Sequence, residues 1–340
     1  MQKTINEPRV TILCFTYNQN KYIDDALRGF EKQTIFKNCE IIIHDDGSTD
    51  GTLGKLKIFK NKYPKQVKLL CSKSNRFSNG DYKFFKESFR ACRGDYIALC
   101  EGDDYWIDPK KIEMQLDLLD NNSSINLVFH KVEIVFSQKN RKNEIFPELE
   151  MSEITKDKLF KNNYIQTNSV MYRKTSYDNM KYQFLPLDWY WHIYHIGKGG
   201  IHFINQVMSV YRINNQGVWY ESHNNPKKFW KEQYNNHLLL YDAILEMAYN
   251  NTQVEYVKEN QKSVVRKILN LNLSQVVVEE LVKNHSGIVS EYLIDENRKI
   301  MNLESSLRFS NNENHKLQIA LNSKNVKNEL IRLFKKYTRL

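Results

Sequence analysis

The sequence predicts an α/β protein: a Rossmann-like, mainly parallel sheet flanked by helices, with a helical C-terminal region attached. Three observations lead there. β-rich runs alternate with helical patterns through the first 120 residues, polar and largely acidic clusters follow three of the first four strands, and from Pro226 onward the apolar spacing is almost wholly helical.

Taken in order, Val10–Phe15, Glu40–His44, Val67–Cys71 and Tyr96–Cys100 read as strands, and Lys21–Lys32, Thr52–Tyr63, Asp81–Ala91 and Pro109–Asp120 as helices. Strand, crossover and strand at this spacing means right-handed βαβ units and parallel pairing. Leu127–Phe136, Ser169–Arg173 and Gln206–Ile213 read as further strands, Lys139–Glu150 as a polar loop, and Ser152–Phe160 and Trp189–Ile196 as helices. Lys228–Tyr249, Val254–Lys283 and Val326–Tyr337 read as amphipathic helices. The expected organisation is a catalytic domain over residues 1–223 and a helical region over 224–340.

Composition narrows the class. Of 340 residues, 41% are hydrophobic and only six are proline, which excludes a disordered chain. The formal net charge of +10 favours phosphate-bearing or polyanionic partners, but no nucleic-acid-binding motif accompanies it. None of the five cysteines forms a CxxC pair, and Cys14, Cys39, Cys71 and Cys100 lie in or beside apolar runs, so buried free thiols in a reducing compartment are expected. The apolar stretch Val10–Phe15 is too short for a signal peptide, and no run approaches the ~20 residues of a membrane span, so the expectation is a cytoplasmic protein, soluble or peripheral at the membrane.

In parallel α/β sheets ligands bind at the carboxyl ends of the strands. There the first strand leads into Thr16-Tyr17-Asn18, the second into Asp45-Asp46-Gly47-Ser48-Thr49-Asp50 and the fourth into Glu101-Gly102-Asp103-Asp104-Tyr105-Trp106. The adjacent carboxylates Asp103 and Asp104 suit one hard cation, Mn²⁺ or Mg²⁺, with open positions for phosphate oxygens. The alternative is that they cap the helix near Pro109, although Asp108 could do that alone. Gly47 permits a tight turn and Asp50 can cap the next helix, which leaves Asp45 and Asp46 without a structural reason. A carboxylate there can accept the imide N–H of uracil while Tyr17 stacks on the ring.

These segments, Val10–Asn18, Asp45–Asp50 and Glu101–Trp106, resemble the family 2 glycosyltransferases, inverting enzymes of GT-A fold that build bacterial surface polysaccharides, and in particular an EGDDYW-type subgroup. The match spans about residues 8–120, and more loosely 165–219. The resemblance implies that Tyr17 and Asp46 contact uracil beside Thr16 and Asn18, that Asp104 binds the metal, and that Asp103 lies near the ribose or the metal. Glu101 stands where the family usually has an aspartate, and with Trp106 it is expected among the donor or acceptor contacts. In Leu187-Asp188-Trp189-Tyr190 the resemblance makes Asp188 the catalytic base; its position also suits a helix N-cap. Asn168, in a turn before a strand, and Trp189 are expected near the acceptor. Arg212 could hold the diphosphate or form a structural ion pair. The subgroup usually has a histidine two residues after the Tyr211-Arg212 pair; this chain has Asn214, with His223 further on.

His192 and His195 read as residues of a half-buried helix rather than zinc ligands. The basic amphipathic segment Val326–Leu340 suits either an anionic membrane surface or packing within the fold or an oligomer. The implied activity is transfer of a sugar from a nucleotide diphosphate donor, a UDP-sugar, to a glycan or lipid-linked glycan. Other readings are a sugar nucleotidyltransferase, which the glycine-free loop Thr16–Tyr22 disfavours, and a non-catalytic nucleotide-sugar-binding protein.

Overall fold

The structure is a computed structural model, and it describes residues 7–137, 141–213, 225–271 and 273–307. The chain divides into two compact units, Met1–Tyr220 and Glu221–Leu340.

The first unit is built on strands β1 (Val10–Thr16), β2 (Cys39–Asp45), β3 (Val67–Cys71), β4 (Tyr96–Leu99), β5 (Tyr105–Trp106), β6 (Ile125–Phe136), β7 (Glu144–Phe146), β8 (Met171–Arg173) and β9 (Gly200–Ile213). They form one sheet in the order β3-β2-β1-β4-β8-β6-β9-β5, with β7 on β6. Pairing is parallel from β3 to β4 and between β6 and β9, whereas β5, β7 and β8 run antiparallel to their neighbours. The four parallel strands with intervening helices follow the expectation; the antiparallel insertions are new. β7 lies in the stretch expected to be loop, because Glu144–Phe146 pairs along Val132–Ile134.

Helices α1 (Ile23–Glu31), α2 (Thr52–Lys62), α3 (Lys83–Ala91) and α4 (Lys111–Asn121) alternate with the first strands, followed by the short α5 (Lys156–Lys161) and α6 (Leu187–Ile196). Spacing explains their packing: α1 buries Ile23, Ala26, Leu27 and Phe30, at i, i+3, i+4 and i+7. β1 and β2 are enclosed on both faces by such helices, and their sequences are apolar runs rather than alternating ones. Four cysteines are buried, but Cys71 is exposed, contrary to expectation, because it ends the edge strand β3.

Chain direction across the sheet reverses between β1 and β4: β2 and β3 are laid down on one side of β1 and β4 on the other. That switch point opens a crevice at the strand ends. Its two lips are tied by the Asp46 N–H donating to the Thr16 carbonyl (3.0 Å) and the Gly102 N–H to the Phe15 carbonyl (2.9 Å). Glycine is required at 102, where a Cβ would lie 2.3 Å from Gln19 Oε1 and 2.7 Å from Thr16 Oγ1.

The second unit contains α7 (Pro226–Leu245), α8 (Asn251–Asn270), α9 (Gln275–Asn284) and α10 (Ser286–Leu307) among the described residues. Asn225 and Asn250 cap α7 and α8 by accepting the N–H groups of Lys228 and Gln253. The single helix expected over Val254–Lys283 is two, with Ser274 at the start of the second. Tyr234, Leu238, Val264, Ile268, Leu281 and Val289 are core residues of this unit, and Lys258–Glu291 and Lys262–Asp295 ion pairs join α8 to α10. Asn214, His223, the 223/224 boundary and the helix expected at Val326–Tyr337 lie outside the described residues.

Candidate active site

The crevice has two parts. On the β1–β2 side, Phe15, Thr16, Tyr17, Gln19, His44, Asp46, Phe77, Phe84 and Phe85 line a cavity of about 160 Å³. Tyr17 is 41% exposed and so has a free ring face. Asp46 is buried, and its two carboxylate oxygens accept the N–H groups of Arg76 (3.0 Å) and Phe77 (2.9 Å). Each carboxylate oxygen has a second lone pair for a ligand donor. The phenylalanines escaped the sequence reading because α3 presents Phe84 and Phe85 on an ordinary apolar helix face.

Local turn chemistry fixes this lip. Asn18 has φ 50°; its N–H donates to Ser48 Oγ, and its Oδ1 accepts the Thr49 N–H at 2.8 Å. Thr16 Oγ1 donates to Gln19 Oε1 at 2.7 Å. Asp50 accepts the Thr52 N–H at the start of α2, but the N-cap position itself is held by Gly51, so Asp50 stands one residue before the cap expected of it. Thus Tyr17, Thr16 and Asp46 meet at the cavity, while the amide oxygen and main-chain N–H of Asn18 serve the loop.

The second part is an acidic centre. Asp104 is 1% exposed; its Oδ1 accepts the backbone N–H of Arg212 at 2.8 Å and its Oδ2 has no hydrogen-bond partner among the described residues. Glu101 Oε2 and Asp188 Oδ1 are likewise buried without a partner. Burial, then the charge of Asp103, pushes Glu101 up to about 8, and burial, Asp103 and Glu101 push Asp104 well above the usual carboxylate range. Burial also raises Asp188, partly offset by N–H groups at the start of α6 and by Asn163, whose Nδ2 donates to Asp188 Oδ2 at 3.1 Å. Asp188 lies inside the first turn of α6, whose N-cap residue is Pro186.

Lone oxygens on neighbouring, mutually repelling acids fit a cation better than water or a helix cap. Lys110, not an acid, occupies the N-cap position of α4, and Asp108 Oδ1 accepts the Lys110 N–H. No three His, Cys, Asp or Glu side chains among the described residues converge as a complete ligand set. A hard ion there would have one or two carboxylates from the chain and would take phosphate and water oxygens for the rest.

Arg212 is committed to structure. Its guanidinium donates to the Asp103 carbonyl (2.8 Å), pairs with Asp25 and lies over the rings of Tyr105 (4.3 Å) and Tyr22 (5.2 Å). Expected contacts Trp106, Asn168 and Trp189 are all buried, with polar atoms engaged inside the fold. Trp106 Nε1 donates to the Asn168 carbonyl, Asn168 Nδ2 to Val210 O, and Trp189 Nε1 to Leu159 O. These residues build the wall behind the acids. His192 and His195 are also walled in: Tyr172 Oη lies 2.6 Å from His192 Nδ1 and the Trp191 carbonyl 2.7 Å from His195 Nδ1, while burial lowers the rings to about 3 and about 4.

Comparison with known proteins identifies the family and the fold. Residues 11–181 match the model of the family described as Glycosyl transferase family 2. An uncharacterised protein of Mycobacterium tuberculosis is 34% identical over 261 residues, 76% of this chain and 75% of the relative. Among solved structures, Staphylococcus aureus TarS 1-349 in complex with UDP-GlcNAc superposes with a TM-score of 0.59 at 16% identity, covering 84% of this chain and 80% of TarS 1-349. The mannosyltransferase PcManGT from Pyrobaculum calidifontis, in complex with GDP-Man and Mn²⁺, gives 0.52 at 12% identity over 98% of this chain and 88% of its own. At these identities the likeness concerns the fold, which is GT-A. Among the described residues no helix is long and apolar enough to cross a membrane.

Proposed function

The chain belongs to glycosyl transferase family 2, and from that premise we propose that it moves a sugar, with inversion, from a UDP-sugar to a hydroxyl of a surface glycan or lipid-linked glycan. The observation that carries the proposal is the trio of unpartnered buried oxygens on Glu101, Asp104 and Asp188 beside a cavity lined by Tyr17 and Asp46. The cavity takes the uracil ring, with Tyr17 stacking on it and Asp46 accepting its imide N–H.

Asp104, with Asp103, would hold Mn²⁺ or Mg²⁺, which when bound neutralises negative charge on the departing diphosphate. Asp188 accepts the proton of the acceptor hydroxyl as that oxygen attacks the anomeric carbon from the face opposite the diphosphate. Asn163 orients the Asp188 carboxylate through Oδ2 and leaves Oδ1 for the acceptor. Burial holds Asp188 above the ordinary 3.8, which strengthens it as a base and predicts a fall in activity on the acid side of neutrality. Work at a peripheral membrane surface is part of the proposal and rests on the basic segment Val326–Leu340.

The test is a screen of UDP-sugars for Mn²⁺-dependent hydrolysis and transfer, with Asp188→Asn beside the wild type. Donor binding by calorimetry should persist in the variant while turnover falls roughly 10²–10⁴-fold. Near-normal turnover removes Asp188 from the mechanism.

A further inference from the structure

We propose that His44 is the positioning residue of the base cavity: while neutral it leaves the Asp46 carboxylate to the donor's base, and once protonated it draws that carboxylate away, so base binding weakens in acid. The inference rests on the reading of the cavity as the uracil site.

His44 is 4% exposed, belongs to the cavity wall and stacks on Phe84 with ring centroids 4.6 Å apart. Both ring nitrogens face hydroxyls, and the hydroxyls fix the tautomer. Ser88 Oγ donates its one hydrogen to the Phe84 carbonyl at 2.8 Å, so towards His44 Nδ1, 3.3 Å away, it can only accept. Nδ1 therefore carries the ring hydrogen, and Nε2 is a lone pair that accepts from Ser72 Oγ at 3.1 Å. Asp46 Oδ1 lies 3.9 Å from this same Nε2. Between a lone pair and a carboxylate nothing attracts, and Asp46 keeps its lone pairs for a ligand. A second ring hydrogen would arrive on Nε2, turning that gap into a buried ion pair and competing with the base for the same oxygen.

The charged groups facing the ring are Asp45 and Asp46 from β2, Arg76 from the loop after β3 and Glu87 from α3. Burial is the largest influence and, with Arg76, outweighs the acids, so the ring stays neutral at neutral pH and titrates below the ordinary 6.5.

Uridine is the probe, used with no metal added, because it has no group titrating between about pH 5 and 8 and leaves the acidic centre out of the measurement. Its affinity for the wild type should weaken with falling pH, approaching tenfold per pH unit well below the His44 pKa. His44→Asn, which cannot take up the proton, should bind with a flat profile. Ser72→Ala removes the donor that stabilises the neutral ring and should move the weakening to higher pH; it leaves the His44–Phe84 stack in place if the histidine variant does not fold. A wild-type profile persisting in His44→Asn, or unmoved in Ser72→Ala, overturns the inference alone. Unchanged uridine binding by Asp46→Ala, or none by the wild type at any pH, overturns the base-site reading and the inference with it.

Discussion

Asp46 and the acids of the acidic centre are held in opposite ways. On the β1–β2 side, both oxygens of Asp46 are held by main-chain N–H groups of Arg76 and Phe77, while Asp45 beside it keeps Oδ1 without a partner among the described residues. In the acidic centre, Asp104, Glu101 and Asp188 each keep one buried oxygen with no partner in the described protein, and all three are pushed towards the protonated form. A carboxylate fully met by the chain costs the fold little, whereas one left half met destabilises it until a ligand arrives. Under the proposed function, the contrast separates an acid that receives an uncharged ring from acids that await a positive charge or a proton.

Substitution can break that contrast. The largest effect is expected at Asp104→Asn: Mn²⁺-dependent donor binding should vanish and turnover fall by roughly 10²–10³-fold, while the metal-free protein melts at a higher temperature because a repelled charge is gone. A lower melting temperature would place Asp104 with Asp46 as a structural acid.

Next comes Lys111, fully buried behind the acidic centre, with Nζ 2.8 Å from Gln115 Oε1 and 4.1 Å from the Trp106 ring centroid. Burial lowers this amine from 10.5 to about 7. Between those two values the unfolded chain binds a proton that the folded chain lacks, so the wild type gains stability as pH rises from about 7 to 10.5. Lys111→Met should therefore stabilise by a few kcal/mol near neutrality, and the gain should shrink towards pH 10; denaturant titrations at the two pH values measure it. The smallest effect is expected at Asp46→Ala, which leaves two N–H groups unpaired and should cost about 1–3 kcal/mol in the same titrations. Equal signs at positions 46 and 104 would abolish the distinction between the halves.

How far the sequence reveals these halves depends on periodicity. The strand tips were legible because inner parallel strands are mainly apolar, against which Asp45, Asp46, Asp103 and Asp104 stand out. The cavity wall was not, since Phe84 and Phe85 fit a helix's apolar stripe whether that stripe faces core or crevice. Trp106 and Asn168 misled in the other direction: their chemistry suits sugar recognition, and only the fold shows their polar atoms already bonded. The antiparallel insertions were hidden because the partners of β5 and β8 are remote in sequence, so no local pattern encodes them. In the second unit the break between α8 and α9 spans too few residues to disturb the apolar spacing on either side. His44 stands directly before the acid pair, and a titratable ring emerging from three isoleucines was the signal available.

The hydrogen bond that fixes Asp104 comes from the peptide group of residue 212, not from its guanidinium. That donor is indifferent to the identity of the residue carrying it, except proline. Relatives could therefore diverge in side chain at that place and still hold the acid at the same angle, and a redesign that swaps the acid's neighbours must respect the path of β9 before the letters written on it.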